Sequence, residues 1–269
     1  MIMETVITSK QNSLVKYVRG LRLKRNRDLE GICVIEGPKM IAEALNSAVC
    51  PEKVLISERG GHLQVVNELT AVPDYSPTLV RVSDAVMEYI TETETPQGIL
   101  ALVRLPDTSL ESLRINSSSV VVVLEGVQDP GNVGTIIRTA DAFGVEAVIT
   151  CGECADVYNA KVLRSTMGSV FRVPVVRDAG IPELKRFFKQ NDIFVALTSP
   201  QEKAVSLAAA GFRRPLAVAF GSEARGVSEA LARLADVMLT IPMPGLAESL
   251  NVAVAAGIVL HEAFREPPF

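Results

Sequence analysis

Three residues able to bond to a ligand, Glu248, Ser249 and Asn251, crowd directly ahead of a run from Val252 to Leu260 that contains only Val, Ala, Gly, Ile and Leu. A helix built from that run has no polar face, so it is expected to be buried nearly all round. Its first turn offers unpaired backbone N–H groups to whatever the polar cluster faces, and Pro242, Pro244 and Gly245 restrict the loop before it. A plain capped core helix would show the same signals, so the other chemistry-bearing segments decide. One is Glu125-Gly-Val-Gln-Asp-Pro-Gly-Asn-Val-Gly134, where Asn132 sits near a helix start and Arg138 lies about two turns further on. Arg138 taken alone could equally serve a surface salt bridge. Another is Gly221-Ser-Glu-Ala-Arg-Gly-Val-Ser228, with Glu223 just past a strand and Ser228 placed to cap the next helix.

All three segments follow apolar runs that read as strands: Val120 to Leu124, Leu216 to Phe220 and Val237 to Ile241. In open parallel sheets ligands collect at the carboxyl ends of strands, so three such loops on one edge make a pocket. The glycine spacing fits neither the dinucleotide fingerprint nor the phosphate loop, which disfavours a nicotinamide dehydrogenase or an NTPase.

The elements that must hold these loops alternate. Strands are expected at Ile32 to Ile35, Lys53 to Ser57, Leu79 to Val82 and Ile99 to Val103, with helices at Lys39 to Asn46, Leu63 to Leu69 and Ala85 to Ile90. Further strands are expected at Ala147 to Thr150, Val173 to Val176 and Ile193 to Leu197, with helices between most of them. The fold class is therefore α/β, a small unit over residues 1–105, a linker over 106–118 and a mostly parallel-sheet unit over 119–269.

Composition narrows the partners. No charge-free apolar run nears the roughly 20 residues that span a bilayer, although mean hydropathy is +0.27, so no membrane association is expected. The N-terminus lacks an apolar signal core, and four cysteines show no disulfide framework, which together point to the cytoplasm. Cys151-Gly-Glu-Cys154 is half a zinc site without a second pair, with only His62 and His261 to complete it, so no metal is expected. The net charge of −4 argues against coating nucleic acid by bulk charge. Locally the balance reverses. Lys10, Lys16, Arg19, Arg22, Lys24, Arg25 and Arg27 precede the first acid of that window, Asp28, while Leu14, Val15, Val18 and Leu21 recur at helical spacing. This reads as one amphipathic helix with a basic outer face suited to phosphate, or as an ordinary solvated helix.

The ordered set DPGNVGTIIRTADAFG, FGSEARGVS and IPMPGLAESLNVAVAAGI resembles the three motifs of the SpoU/TrmH branch of the SPOUT RNA methyltransferases. Lys161-Val-Leu-Arg164-Ser-Thr-Met-Gly168, between the first two motifs, fits the same pattern. The segment from Ser9 to Leu45, with Thr95-Pro-Gln-Gly98, is similar to the ribosomal-protein-like RNA-binding domain of the family's rRNA-directed members. The resemblance implies a C-terminal domain with a deep trefoil knot and a homodimer whose active site is shared between subunits. It also implies S-adenosylmethionine bound around Gly221, Ile241, Met243 and Leu250, and methyl transfer to a ribose 2'-hydroxyl of RNA. Arg138, Asn132, Glu223, Ser249 and Asn251 would form the reaction centre, with Lys39, Lys161 and Arg164 joining the basic N-terminal segment on the RNA. Large-subunit rRNA is the expected substrate; a tRNA substrate, or a non-catalytic RNA-binding protein on the same fold, are the alternatives.

Overall fold

The computed structural model describes residues 5–61, 64–72, 75–199, 204–222 and 225–265. The chain divides into two compact units, one of residues 1–106 with 158–171 and one of residues 107–157 with 172–269.

The first unit begins with α1 (Ser13–Gly20) and α2 (Lys24–Glu30), two helices where the sequence suggested one. The corner between them is closed by side chains of α2. Asn26 donates to the Gly20 carbonyl at 2.8 Å, and Arg27 donates to the carbonyls of Leu21 and Arg22 at 2.5 and 2.7 Å. The Arg27 bonds satisfy carbonyls just past the end of α1, while the Gly20 carbonyl also accepts from the Leu23 amide at 3.1 Å. They also draw Arg27 inside, to 4% exposure, so it is a core residue and not part of a basic outer face.

Next come β1 (Ile32–Glu36), α3 (Pro38–Asn46), β2 (Lys53–Ile56), α4 (Gln64–Ala71), β3 (Thr78–Arg81), α5 (Asp84–Ile90) and β4 (Ile99–Arg104), close to the spans expected from periodicity. The sheet order is β1-β4-β2-β3, with β4 antiparallel to both neighbours and β2 parallel to β3. Period-two alternation splits its residues between two faces. Ile32, Leu55, Leu100 and Leu102 pack with Val15 and Val18 of α1 and Val86 and Ile90 of α5, while α3 lies across β1 and β4.

In the second unit β5 (Val120–Glu125), α6 (Pro130–Phe143) and β6 (Ala147–Cys151) lead to α7 (Ala160–Thr166), which groups with the first unit. The chain resumes as β7 (Val175–Ala179), α8 (Ile181–Gln190), β8 (Phe194–Thr198), β9 (Val205–Ser206), β10 (Leu216–Gly221), α9 (Glu229–Ala232), β11 (Val237–Thr240) and α10 (Val252–Phe264). The sheet order is β7-β6-β5-β10-β8-β11-β9, and every pairing is parallel. Strand β7 starts two residues later than its apolar pattern suggested and runs on through Arg177 and Asp178. It lies at the sheet's edge beside a register irregularity, and there the Asp178 amide donates to Thr150 Oγ1 at 3.1 Å. Charged side chains and irregular register are common on edge strands, where they discourage pairing with a further strand.

One face of this sheet, with Val121, Val123, Ile149, Leu197 and Ala219, packs against Leu184, Phe187 and Phe188 of α8 and Leu231 of α9. Leu110 is 7% exposed and joins the same core, with Leu113 and Ile115 against it, so residues 107–118 are part of this unit and not a free linker. Helices α6 and α10 pack side by side over β6 and β10.

Candidate functional site

Strand β5 connects outward through α6 to β6 on one side, while its other neighbour, β10, is reached only after the chain has crossed to β8. That reversal is a topological switch point. The carboxyl ends of the strands flanking one form a crevice that binds ligands. The loops carrying the expected site residues leave from this edge.

The turn after β5 is held tightly. Gly126 has φ of +66° and its amide donates to the Cys151 carbonyl at 3.1 Å. Asp129 caps α6 by accepting from the Asn132 amide at 2.8 Å. Beside it the loop after β10 folds back on itself, with Ser222 and Gly226 exchanging backbone bonds of 3.0 and 2.8 Å. A Cβ on Gly221 would stand 2.1 Å from the Gly226 carbonyl carbon, so only glycine fits. Glu125, at the end of β5, ties this loop down: its two oxygens accept from the Ser228 amide at 2.6 Å and the Ser228 hydroxyl at 2.7 Å. The Ser228 hydroxyl in turn accepts from the Leu231 amide at 3.2 Å, capping α9. Glu125 was not singled out by sequence reasoning. The signal was present, an acid at the carboxyl end of a central strand, but its partner lies 103 residues away.

The third loop joins β11 to α10. Between Met243 and Leu250 its main chain makes no hydrogen bond among the described residues, so its N–H and C=O groups are open to a ligand. Ile241, Met243 and Leu250 are half-buried there, as is Gly221 on its own loop. Asn251 ends the loop and caps α10: Oδ1 accepts from the amides of Ala253 at 2.9 Å and Val254 at 3.3 Å, and Nδ2 donates to Asn132 Oδ1 at 2.9 Å. Two parallel helix N-termini, on segments 119 residues apart, are thereby joined side chain to side chain. Their far ends meet through Phe143, stacked on Phe264 at 5.9 Å.

The remaining expected residues are less closely gathered. Arg138 is exposed on α6 and has no ion-pair or hydrogen-bond partner among the described residues. It lies six residues beyond Asn132, about 9 Å along the helix axis and on a different side. Ser249 is exposed, and Glu223 lies outside the described residues. Cys151 and Cys154 both donate to the Leu124 carbonyl, at 3.5 and 3.3 Å. Burial, followed by the charges of Glu125 and Cys154, pushes the Cys151 thiol up to about 12, and burial also raises Cys154. Both stay protonated at neutral pH and are poor nucleophiles and ligands. Among the described residues no group of three or more His, Cys, Asp or Glu could hold a metal ion.

Of the expected RNA-facing residues in the first unit, Lys10, Lys16, Lys24, Arg25 and Lys39 are exposed. Arg19 stands 3.8 Å over the Tyr89 ring, with Lys10 at 5.0 Å on the same ring. Arg22 is largely tied into the fold, donating to the Thr91 carbonyl at 2.6 Å and pairing with Glu92 at 3.7 Å. Lys161 and Arg164 are exposed on α7, which belongs to this unit although the sequence placed them in the other.

This fold, with its ligand loops at the switch point of a parallel sheet, is that of a methyltransferase class: residues 119–261 match a family described as the SpoU rRNA Methylase family, and residues 12–101 match the MRM3-like substrate binding domain. The chain belongs to the SpoU rRNA methylase family. It is 36% identical over 95% of its length to the Bacillus subtilis 23S rRNA (guanosine(2553)-2'-O)-methyltransferase RlmP, covering 97% of that protein. Its structure superposes on an AdoMet-bound rRNA methyltransferase from Sinorhizobium meliloti with a TM-score of 0.86 and 31% identity, over 97% of each chain. It also superposes on the SpoU methyltransferase AviRb of Streptomyces viridochromogenes, in complex with AdoMet, with a TM-score of 0.86 and 27% identity over 94% of this chain and 97% of that one.

Proposed function

We propose that this protein transfers the methyl group of S-adenosylmethionine to a ribose 2'-hydroxyl of large-subunit (23S) rRNA. The observation that carries this reading is the bond between Asn132 and Asn251, which joins the first and third motifs at the switch-point edge. Beside it lies a loop whose main chain is open, as a cofactor with adenine, carboxylate and amine edges requires.

S-adenosylmethionine supplies an electrophilic methyl group on a sulfonium centre. Ile241, Met243 and Leu250, with the backbone near Gly221, offer half-buried apolar contacts and main-chain donors that suit it. The ribose hydroxyl is a weak nucleophile until its oxygen is oriented and its proton leaves. Arg138 is exposed and unpaired among the described residues, so its guanidinium is available to the substrate. A guanidinium stays protonated well above neutral pH, so its role here is to hold the neighbouring phosphate and stabilise charge developing on the 2'-oxygen. Asn132 and Asn251 orient the ribose, Ser249 bonds to a neighbouring polar group, and Glu223 steers Arg138 from the second loop.

Two finer features belong to the same reading. Val254 and Ile258 stand 51% and 38% exposed on α10, an apolar stripe that supports homodimer formation through this helix. The return of the chain from β11 past β8 and β10 to pack α10 on α6 is the kind of path a trefoil knot requires. Among the described residues no helix is long and apolar enough to cross a membrane, and all four cysteines are free, which supports a place in the reducing cytoplasm. The deciding experiment is transfer of labelled methyl to 23S rRNA at saturating cofactor. Arg138→Ala should lose at least a hundredfold in turnover while binding S-adenosylmethionine within about twofold of wild type. Unchanged turnover would remove Arg138 from the reaction centre.

A further inference from the structure

At the amino ends of β8, β10 and β11, the edge opposite the switch-point loops, the second unit carries a groove of about 340 Å³. Phe188, Ile193, Val195 and Leu234 line it, and the charged residues around it are four cations, Lys185, Lys189, Arg213 and Arg233, against two acids, Asp192 and Asp236. On a chain with a net charge of −4 this is a local reversal of sign. One acid is tied to the main chain and the other pairs with a cation of the groove. Asp236 accepts from the Val195 amide at 2.8 Å, and Asp192 pairs with Arg213 at 3.4 Å.

The cations are less committed. Lys185 and Lys189, one helical turn apart on α8, are exposed and have no partner among the described residues. The ion pairs of Arg213 and Arg233 are exposed, the latter to Glu229 at 3.0 Å, and Arg213 also lies over the Phe194 ring at 5.8 Å. Such pairs are worth about 0–1 kcal/mol and exchange readily for a phosphate. A positive groove with an apolar floor is the form that tracks an unpaired nucleic-acid strand, its cations on the phosphates and its floor against sugar or base.

We propose that this groove binds a single-stranded segment of the RNA substrate, through phosphate contacts from Lys185, Lys189, Arg213 and Arg233. It is a second RNA-contact surface, on the methyltransferase unit and remote from the reaction edge, and it rests on the reading of RNA as substrate. Contacts of this kind position a strand without reading its sequence.

The test is fluorescence anisotropy of the full-length protein with a labelled octauridylate across 50–200 mM salt. Three phosphate contacts to a single strand contribute about 2 to the log–log salt slope. The triple variant Lys185→Ala, Lys189→Ala, Arg233→Ala should therefore flatten the slope by about 2, so that wild type loses about 20-fold more affinity than the variant over that range. S-adenosylmethionine binding by calorimetry should be unchanged, which certifies the fold. Lys185→Arg with Lys189→Arg should keep the wild-type slope. A triple variant with wild-type slope overturns the groove, and if Lys24→Ala with Arg25→Ala still flattens the slope, RNA binding itself survives. Wild-type protein that neither binds the octamer nor methylates rRNA overturns both readings. Uridine monophosphate bound in the groove as tightly as the octamer would make the ligand a free nucleotide and overturn the strand proposal.

Discussion

Replacing Asn251 by Ala separates the two jobs this side chain does. Its Oδ1 caps α10 through the amides of Ala253 and Val254, and its Nδ2 holds Asn132 at 2.9 Å. Losing a capping Asn costs about 1 kcal/mol. Losing a neutral bond between exposed side chains costs about 0.5–1 kcal/mol more. The sum approaches about 2 kcal/mol, which for a unit of this size lowers Tm by about 4–8 °C. Asn251→Ser restores the cap but is too short to reach Asn132, so it should recover about half of that loss. Methyl transfer should behave differently. Both variants break the link between the first and third motifs, so both should lose at least tenfold in turnover on rRNA. Thermal melts and single-turnover methylation on the same preparations decide the matter. Asn251→Ala melting within about 1 °C of wild type would refute the capping argument. Asn251→Ser turning over like wild type would refute the role of the Asn132 contact.

Two further perturbations probe the other supports. Gly221→Ala drives a methyl group to 2.1 Å from the Gly226 carbonyl carbon, where backbone must move, so S-adenosylmethionine affinity measured by calorimetry should fall at least tenfold. Unchanged affinity would show that the loop after β10 does not shape the cofactor site. Arg27→Ala removes a buried guanidinium from two carbonyls and should destabilise the first unit by about 2–4 kcal/mol in urea denaturation. Lys24→Ala with Arg25→Ala, both on the exposed face, should leave the urea midpoint within experimental error and instead flatten the salt dependence of RNA binding. The opposite pattern would reverse the assignment of structural and RNA-facing cations.

The sequence by itself determined the α/β class, the positions of most strands and the three loops, because short apolar runs and glycine-bounded turns are local properties that survive in one dimension. Val120–Leu124 and Leu216–Phe220 read as buried parallel strands and pair with each other. The family resemblance likewise rested on residues in order along the chain. Tertiary structure decided what depends on distant partners. It divided seven basic residues of one segment into exposed cations and cations used as internal donors, since only the corner between α1 and α2 shows which carbonyls Arg27 must satisfy. It made the supposed linker a core segment through Leu110, and moved Lys161 and Arg164 into the first unit. The helix that seemed buried all round kept an exposed stripe, Val254 and Ile258, because burial is set by neighbours and not by hydropathy. Glu125 with Ser228, Asn132 with Asn251, and the groove at the far sheet edge each join residues from well-separated segments, which no sequence period reveals.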